Sequence, residues 1–340
     1  MAGLHSAATT FPGEIMGQAK PLAGLVRAFR FYPDGSSEEL NADQPIAERE
    51  GWLWLHFNLA DRRACEFLNS TSCLPPPARR LLVSTDEHQQ LHRHDACIYG
   101  VLANLVCGLS GVTEEIGFFH FAMTETHFVS GRRHNLLAVE ATSQALRRGL
   151  KITRPAALFE VITEQTIEVV DRYAEDLASH LDRAEERILA DDITADRQSI
   201  GRVRRMTVRL HRQLVTLRSL MHRFEHDIEP HSNRALELAT GKLSQRLDWL
   251  DTEIVALRDR SHLLQEEITL KTAEQTNRNL HVLATVTTVF LPASLVAGIF
   301  GMNVELPVDP KTGFLSAMAI IIGAAAIVYW FLKRSGILGR

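Results

Sequence analysis

Residues 280–303 read LHVLATVTTVFLPASLVAGIFGMN, and the predicted architecture follows from this segment. Its first 21 residues contain no Asp, Glu, Lys or Arg and match the length that crosses the hydrocarbon core of a bilayer as one helix. A second apolar run, 314–332, is equally free of charge, and it ends at Tyr329 and Trp330 just before Lys333 and Arg334. Aromatic and basic residues in that order are typical of an interfacial anchor. The sequence therefore predicts two transmembrane helices, at 280–300 and 314–332.

The charges around the two spans predict their orientation. The connection, 301–313, carries Glu305, Asp309 and Lys311, whereas basic residues flank the other ends, at 271 and 278 and in the tail 333–340. By the positive-inside tendency, both termini are expected in the cytoplasm and the acidic connection outside. The first 20 residues also lack the basic and apolar pattern of a secretory signal. Because a hairpin of two helices cannot enclose a path for an ion, any pore requires several copies of the chain.

Residues 23–150 have the pattern of a cytoplasmic α/β domain, which follows a flexible arm at 1–22. Short runs rich in aromatic and branched residues predict strands, and two helical patches lie between them near Pro or Asp and Ser boundary signals. The predicted strands are 25–32, 52–59, 98–106, 115–123 and 127–129, and the predicted helices are 62–68 and 77–82. A hairpin turn is expected at 108–111, around Ser110.

Residues 151–279 predict long cytoplasmic helices. Pro155 suits a first helical turn, and breaks are expected at 191–194 and 230–233, which would give two antiparallel helices. From residue 233 to residue 300 a single helix of about 100 Å is expected. It carries apolar residues at alternating steps of four and three, and this spacing is typical of a heptad seam. Ser261 interrupts the seam. The seam consists of Leu243, Leu247, Leu250, Ile254, Leu257, Leu264 and Ile268. Packing against the two preceding helices accounts for most of it, and self-association around a shared axis is the further possibility.

Overall composition excludes some partners. The chain has 37 Lys and Arg against 41 Asp and Glu, and this balance gives no reason to expect a nucleic acid partner. The four cysteines, Cys65, Cys73, Cys97 and Cys107, form no CxxC pair and are expected to be reduced. No metal or other cofactor is predicted, apart from a transported ion.

The triplet Gly301, Met302 and Asn303 stands at the outer end of the first of two C-terminal spans. With this placement, the chain resembles the CorA superfamily of divalent-cation transporters, and the resemblance covers the layout of residues 25–340. It implies a homopentameric funnel with one pore-lining helix per copy, in a bacterial inner membrane and in contact with its lipid. Gly301 would permit a tight turn, and five Asn303 amides would hold a cation through its hydration shell.

Family spacing from Asn303 implies a pore-lining stripe on the first span. The stripe consists of Asn277, Leu280, Leu283, Ala284, Thr287, Leu291, Ser294 and Gly298. All eight residues are neutral, so a bare divalent ion would find too few oxygen ligands, and we expect the ion to pass hydrated. The leucines of the stripe are candidates for apolar constrictions that close by dewetting. Pro292 is expected to kink the span.

Histidines and carboxylates provide further candidate sites. Two histidine clusters are candidate cytoplasmic metal sites: His88, His92 and His94, and His222 with His226, near His231. Solvated surface histidines are the alternative interpretation. Acidic residues are expected to concentrate cations, either outside, at Glu305 and Asp309, or along a cytoplasmic funnel, at Glu164, Glu168, Asp171, Glu175 and Asp176. The alternative for the second group is a solvated helix face.

The identity of the ion stays open at this stage. Residues 51–61, 65–74 and 101–108 resemble the zinc-associated ZntB branch, and the outer connection has its Pro307 but lacks its paired glycines. Glu305 is closer to the magnesium branch. Zinc is the first expectation, with magnesium or cobalt as the alternative and Ni²⁺ and Cd²⁺ as further candidates. Proton coupling is known in the ZntB-like branch, and His281 is the single titratable candidate within the spans.

Two other classes of protein are alternatives to a transporter. A membrane-tethered enzyme would need a catalytic motif, and the chain has no HExxH, GxSxG, CxxC or GxxxxGK[ST]. A membrane-anchored coiled-coil sensor would explain the long helix and the two spans. It would not explain the Gly301 to Asn303 triplet at the end of the first span.

Overall fold

A computed structural model of the chain describes residues 21–46, 49–108, 111–190, 197–227, 234–301 and 310–334. These residues form an α/β domain, then long helices, then a C-terminal helix. This order of elements confirms the predicted fold class. The chain divides into two compact units between Leu264 and Gln265, and each is described by itself.

The α/β domain is built on one seven-stranded sheet. Its strand order is β2-β1-β3-β7-β6-β5-β4, and every neighbouring pair is antiparallel except β3 with β7. The strands are β1 Leu25–Phe31, β2 Ser37–Leu40, β3 Trp52–Asn58, β4 Gln90–His94, β5 Cys97–Gly108, β6 Gly111–Met123 and β7 His127–Arg132.

Stacked aromatic pairs fix the register of the central strands. Phe31 lies opposite Trp52 with ring centroids 3.9 Å apart, and Phe29 lies opposite Trp54 at 5.5 Å. All four side chains are buried. Because a slip of one residue would move each ring to the other face of the sheet, these pairs specify the β1–β3 register strongly.

Two strands were not predicted, and both lie at the ends of the sheet. β2 reads SEEL and β4 reads QLHRH, so neither has the apolar alternation that signals a half-buried strand. They form because β1 and β5 offer them hydrogen-bonding edges. The polar side chains of such edge strands limit pairing with other chains. The predicted turn around Ser110 falls partly on residues outside the described ranges.

Three short helices accompany the sheet: α1 Arg62–Ser70, α2 Pro76–Val83 and α3 Leu137–Arg147. The Asp61 carboxylate caps α1 by accepting a hydrogen bond from the Arg63 backbone N–H at 2.9 Å. No helix was predicted at α3, which has no side-chain cap at its start. It forms because Ala138, Val139 and Leu146 are buried, at helical spacing.

Three long helices follow: α4 Pro155–Leu189, α5 Arg197–Asp227 and α6 Arg234–Gly301. Pro155 occupies the first turn of α4, as expected. All members of the predicted seam of α6 are buried, and so is Ser261 in the gap of the pattern. Burying each aliphatic side chain contributes about 1.5–3 kcal/mol. The predicted breaks at 191–194 and 230–233 lie outside the described residues.

The second unit contains the C-terminal part of α6 and the helix α7 Pro310–Arg334. By length and composition, α6 is apolar enough to cross a membrane, and α7 contains a shorter apolar stretch, Met318–Phe331. Residues 310–313 were predicted to be loop, but they form the first turn of α7. Pro310 is the reason, because its fixed φ suits the start of a helix. Pro292 lies inside α6, which continues to Gly301.

The boundary of the N-terminal arm also differs from the prediction. The arm was expected to extend to residue 22, and residues 1–20 are outside the described ranges. Leu22, however, is buried in the same core cluster as Leu53 and Phe57. The ordered domain therefore includes this residue.

Buried histidines make the α/β domain sensitive to acid. His56 is fully buried between strands, with Nδ1 2.9 Å from the Ser130 hydroxyl oxygen. Burial, and then the charges of Arg132 and Arg27, lower the pKa of His56 from 6.5 to about 3. Burial likewise lowers the pKa of His127 to about 4. Since the folded state depresses both pKa values, stability is complete above pH 6.5 and is lost as the pH falls towards the folded values.

We predict that replacing His56 flattens this acid dependence. Protonation of the unfolded chain at pH 5 should cost the wild-type domain about 2 kcal/mol through His56 alone. His56→Gln keeps a hydrogen-bonding group for Ser130 but cannot titrate, so its melting temperature should change less between pH 7 and pH 5. Thermal unfolding of the full chain measures this, with the exposed His88→Gln as control. An equal change in wild type and His56→Gln would contradict the assignment.

Candidate functional site

The predicted pore stripe lies on the part of α6 that belongs to the second unit. Its residues recur at alternating steps of three and four, and no Gly or Pro interrupts the helix between residues 242 and 291. Every stripe residue is exposed in the single chain, and so are Val286 and Phe290 between them. Exposure alone therefore does not separate a water-facing side of α6 from a lipid-facing side.

Threonine hydroxyls on α6 bond back to the helix. The Thr287 hydroxyl donates to the Leu283 carbonyl at 2.8 Å, and the Thr288 hydroxyl donates to the Ala284 carbonyl at 2.7 Å. Such bonds satisfy the polar proton within the helix, as an apolar surrounding requires. Because the hydroxyl proton is used in this bond, the hydroxyl oxygen can act towards its surroundings only as a hydrogen-bond acceptor. An oxygen of this kind can accept hydrogen bonds from the water shell of a cation.

An open groove brings five of the stripe residues together. Leu280, Leu283, Ala284, Thr287 and Leu291 line it with Thr288 and Pro292 of α6 and Val328 of α7. Three predicted stripe residues, Asn277, Ser294 and Gly298, do not line this groove. The groove is overwhelmingly apolar, so it offers no ligand that could replace water on a divalent ion.

Of the triplet at the end of the span, the structure describes only the first residue. Gly301 is the last residue of α6. Met302, Asn303, Glu305 and Asp309 lie outside the described residues. Their roles stay predictions.

The predicted histidine sites contain side chains with local partners. His88 Nδ1 lies 2.7 Å from Asp86 Oδ1, and His92 Nε2 lies 3.0 Å from the Gln90 side-chain oxygen. His94 is exposed on β4, and His222 is exposed on α5, which also carries His226. Within the described ranges, no group of three or more His, Cys, Asp or Glu residues is placed to hold a metal ion.

Carboxylates of α4 face α6 at three levels, which we call rungs, and the upper and middle rungs contain members of the predicted acidic run. In the upper rung, Arg246 bonds Glu164 at 3.0 Å and Glu168 at 3.4 Å. In the lower rung, Arg260 pairs with Asp182 at 2.7 Å and with Glu185. These pairs hold the two helices together, and they engage two of the carboxylates that were expected to attract cations.

The middle rung differs because α6 supplies a carboxylate there. Glu253 faces Asp171 and Glu175, and one of its oxygens, Oε2, is buried without a hydrogen-bond partner. Burial and these two charges raise the pKa of Glu253 above its usual value. Sequence reasoning did not single out Arg246, Glu253 or Arg260. Their seven-residue spacing on α6 was the available signal.

Comparison with known proteins identifies the family. The sequence model of the family described as "CorA-like Mg2+ transporter protein" matches residues 49–334. The chain belongs to this family, which makes it a transporter and not an enzyme.

Relatives and solved structures agree with this assignment. The zinc transport protein ZntB of Pectobacterium carotovorum subsp. carotovorum (strain PC1) is 22% identical over 319 residues, which cover 92% of this chain and 96% of ZntB. The structure of full-length CmaX matches with a TM-score of 0.74 at 23% identity, covering 92% of this chain and 97% of CmaX. The complete CorA magnesium transporter of Methanocaldococcus jannaschii matches with a TM-score of 0.73 at 15% identity, covering 92% and 99%. These structures show the fold.

Proposed function

We propose that the chain carries divalent metal cations across a membrane through a pore formed by five copies, with zinc as the preferred ion. One observation supports this most: a neutral stripe that includes Thr287 and Ser294 runs along a helix able to span a bilayer and ends at Gly301, directly before Met302 and Asn303. The proposed membrane is the bacterial inner membrane, with both termini in the cytoplasm.

Self-association is supported by apolar residues that a monomer would leave in water. Trp249 and Leu263 of α6 are 61% and 63% exposed, although they lie in the first unit, outside the predicted spans. They are two heptads apart, with Ala256 midway between them. This spacing is typical of a coiled-coil seam, so the same face of several α6 helices can pack around one axis. Five is the number that the family resemblance implies.

A neutral pore favours passage of the hydrated ion. A ring of five Thr287 oxygens would accept hydrogen bonds from the water around the ion, and five Asn303 amides would do the same at the outer mouth. Neither ring has to remove the water shell of the ion. Removing that shell would require charged ligands. Rings of Leu280, Leu283 and Leu291 would form apolar constrictions that close by dewetting.

The membrane potential is sufficient to drive uptake. Moving a divalent cation through ~100 mV, negative inside, releases about 4.6 kcal/mol. Inward transport therefore requires no ATP. In the proposed orientation, Glu305 and Asp309 would raise the local cation concentration at the outer mouth.

Zinc is proposed as the preferred ion because the relatives named as zinc transport proteins match over almost the whole chain. The stripe itself contributes little to the choice, because a hydrated ion presents water to the pore whatever the metal. The competing assignment is magnesium, which the name of the matched CorA structure carries. Flux assays with each ion, with and without a pH gradient, decide between the two and test proton coupling. Equal or faster magnesium flux would reject the zinc preference.

We predict that Asn303→Ala abolishes most divalent-ion flux while the oligomer survives. The substitution removes the proposed ring of amide oxygens and leaves the helices unchanged. Flux into liposomes with an internal zinc indicator measures the effect, and light scattering in detergent reports assembly. Asn69→Ala, an exposed asparagine at the end of α1, is the matched control. Wild-type flux in Asn303→Ala would contradict the proposed mouth, and a wild-type protein without zinc or magnesium flux would reject transport.

We also predict that α6 has one watery side. A cysteine at Thr287 should react with a charged, water-soluble thiol reagent, because this position faces the proposed pore. A cysteine at Phe290, which is 64% exposed in the single chain, should be protected by lipid or by neighbouring copies. Labelling in liposomes measures both, in a full chain with Cys65, Cys73 and Cys107 changed to Ser, where the remaining Cys97 is buried and should not react. Equal labelling at 287 and 290 would contradict the assigned pore face.

A further inference from the structure

Charge is segregated between the two helices that precede α6. α4 has nine Asp and Glu against three Arg, whereas α5 has eight Arg and no Lys against two acidic residues, Glu225 and Asp227. The net charges are therefore −6 and +6. Two surfaces of opposite sign on one chain favour a contact between unlike faces of neighbouring copies, because a contact between identical faces would oppose like charges.

The acidic partner in such a contact is the middle rung, Asp171, Glu175 and Glu253. The rungs above and below it each contain an arginine from α6 at the equivalent heptad position, and in each rung that arginine pairs with two carboxylates of α4. The middle rung has three carboxylates, and no ion pair is formed by Asp171, Glu175 or Glu253 within the part of the chain that the structure describes. In the middle rung, therefore, Glu253 stands at the heptad position that an arginine occupies in the two flanking rungs, and no cation of the described part of the chain pairs with its three carboxylates.

The basic partner is a strip on α5, which we define as Arg205, Val208, Arg212 and Val215. These residues follow steps of three and four, so they lie on one side of the helix. Both arginines are exposed, and the valines between them are 40% and 43% exposed. Across the described ranges, neither Arg205 nor Arg212 forms an ion pair. Arginine interleaved with exposed apolar residues is typical of a protein interface, whereas a helix face that stays in water usually lacks exposed apolar residues.

We propose that the basic strip of α5 docks on the middle rung of the next copy, with an arginine of the strip taking the place that Arg246 and Arg260 occupy in the flanking rungs. This contact is heterologous, so it can repeat from copy to copy around the five-fold axis of the proposed pentamer and close a ring there. It rests on the proposed oligomer and adds to it a specific charged contact between cytoplasmic helices. Because the rung is partly shielded from solvent, the pairing strengthens when the arginine excludes water.

Cross-linking of paired cysteines tests the contact in the full chain. In a background with Cys65, Cys73, Cys97 and Cys107 changed to Ser, the pair Arg212→Cys and Glu175→Cys is treated with a short bis-maleimide in detergent. The expected result is a ladder from dimer to pentamer on a denaturing gel, since each copy is linked to the next. Each single substitution should give no ladder, because a heterologous contact does not bring a residue to its own equivalent. Arg212→Cys with Glu186→Cys, an exposed carboxylate outside the rungs, is the matched control.

A charge exchange provides a second readout without replacing the cysteines. Arg212→Glu should lower the detergent or salt concentration at which the oligomer dissociates, and Arg212→Glu with Glu175→Arg should restore it. Arg62→Glu, on the exposed surface of α1, should leave dissociation unchanged. A double variant as weak as the sum of its singles would overturn the contact.

The mass of the untreated particle separates the two proposals. A particle of five chains that gives no ladder, or the same ladder with the control pair, overturns this contact and leaves the pentamer standing. A particle of one chain overturns the pentamer and this contact with it.

Discussion

A helix without charged side chains cannot remove the water from a divalent cation, and the rest of the transport scheme depends on this limit. Carboxylates inside a span would supply the missing ligands, but an isolated charge in hydrocarbon is costly and the α6 span contains none. The polar groups that it does contain are satisfied by the helix itself, as Thr287 shows. The remaining way to pass the ion is to surround its water shell with many weak acceptors, and this requires several copies of one stripe.

The same limit places the strong charges outside the membrane. In the cytoplasmic helices, Arg246 and Arg260 each pair with two carboxylates on α4, and two members of the predicted acidic run are engaged in this way. Glu253 departs from this pattern and leaves a buried oxygen without a partner. A buried charge without a partner is destabilising unless something completes its surroundings. In the proposed assembly, an arginine from the next copy would complete these surroundings, and assembly would then add to the stability of each copy.

Much of the fold could be predicted from the sequence because its strongest patterns are also its most buried elements. The heptad seam of α6 is buried at every predicted position, and the aromatic runs at β1 and β3 form stacked cross-strand pairs. The edge strands β2 and β4 were missed because pairing with a neighbour, and no apolar pattern of their own, makes them strands. α3 was missed because no capping side chain marks its start.

The candidate site was less accessible to sequence reasoning. The stripe and the triplet came from a family resemblance, and the structure brings five stripe residues together on one groove. The acidic run was visible, but its division into rungs depends on the register between α4 and α6, which no local pattern specifies. Glu253 looks like any solvated glutamate until that register places it between Asp171 and Glu175.

In the proposed pore, neutral stripes from five α6 helices border one watery path. Electron cryomicroscopy of the full chain in a lipid nanodisc would show this path. The expected view down the membrane normal shows five-fold symmetry, with α6 innermost, Thr287 and Leu291 facing the axis, and α7 against the lipid. A particle with α7 at the centre, with the stripe turned to lipid, or with no rotational symmetry would contradict the account.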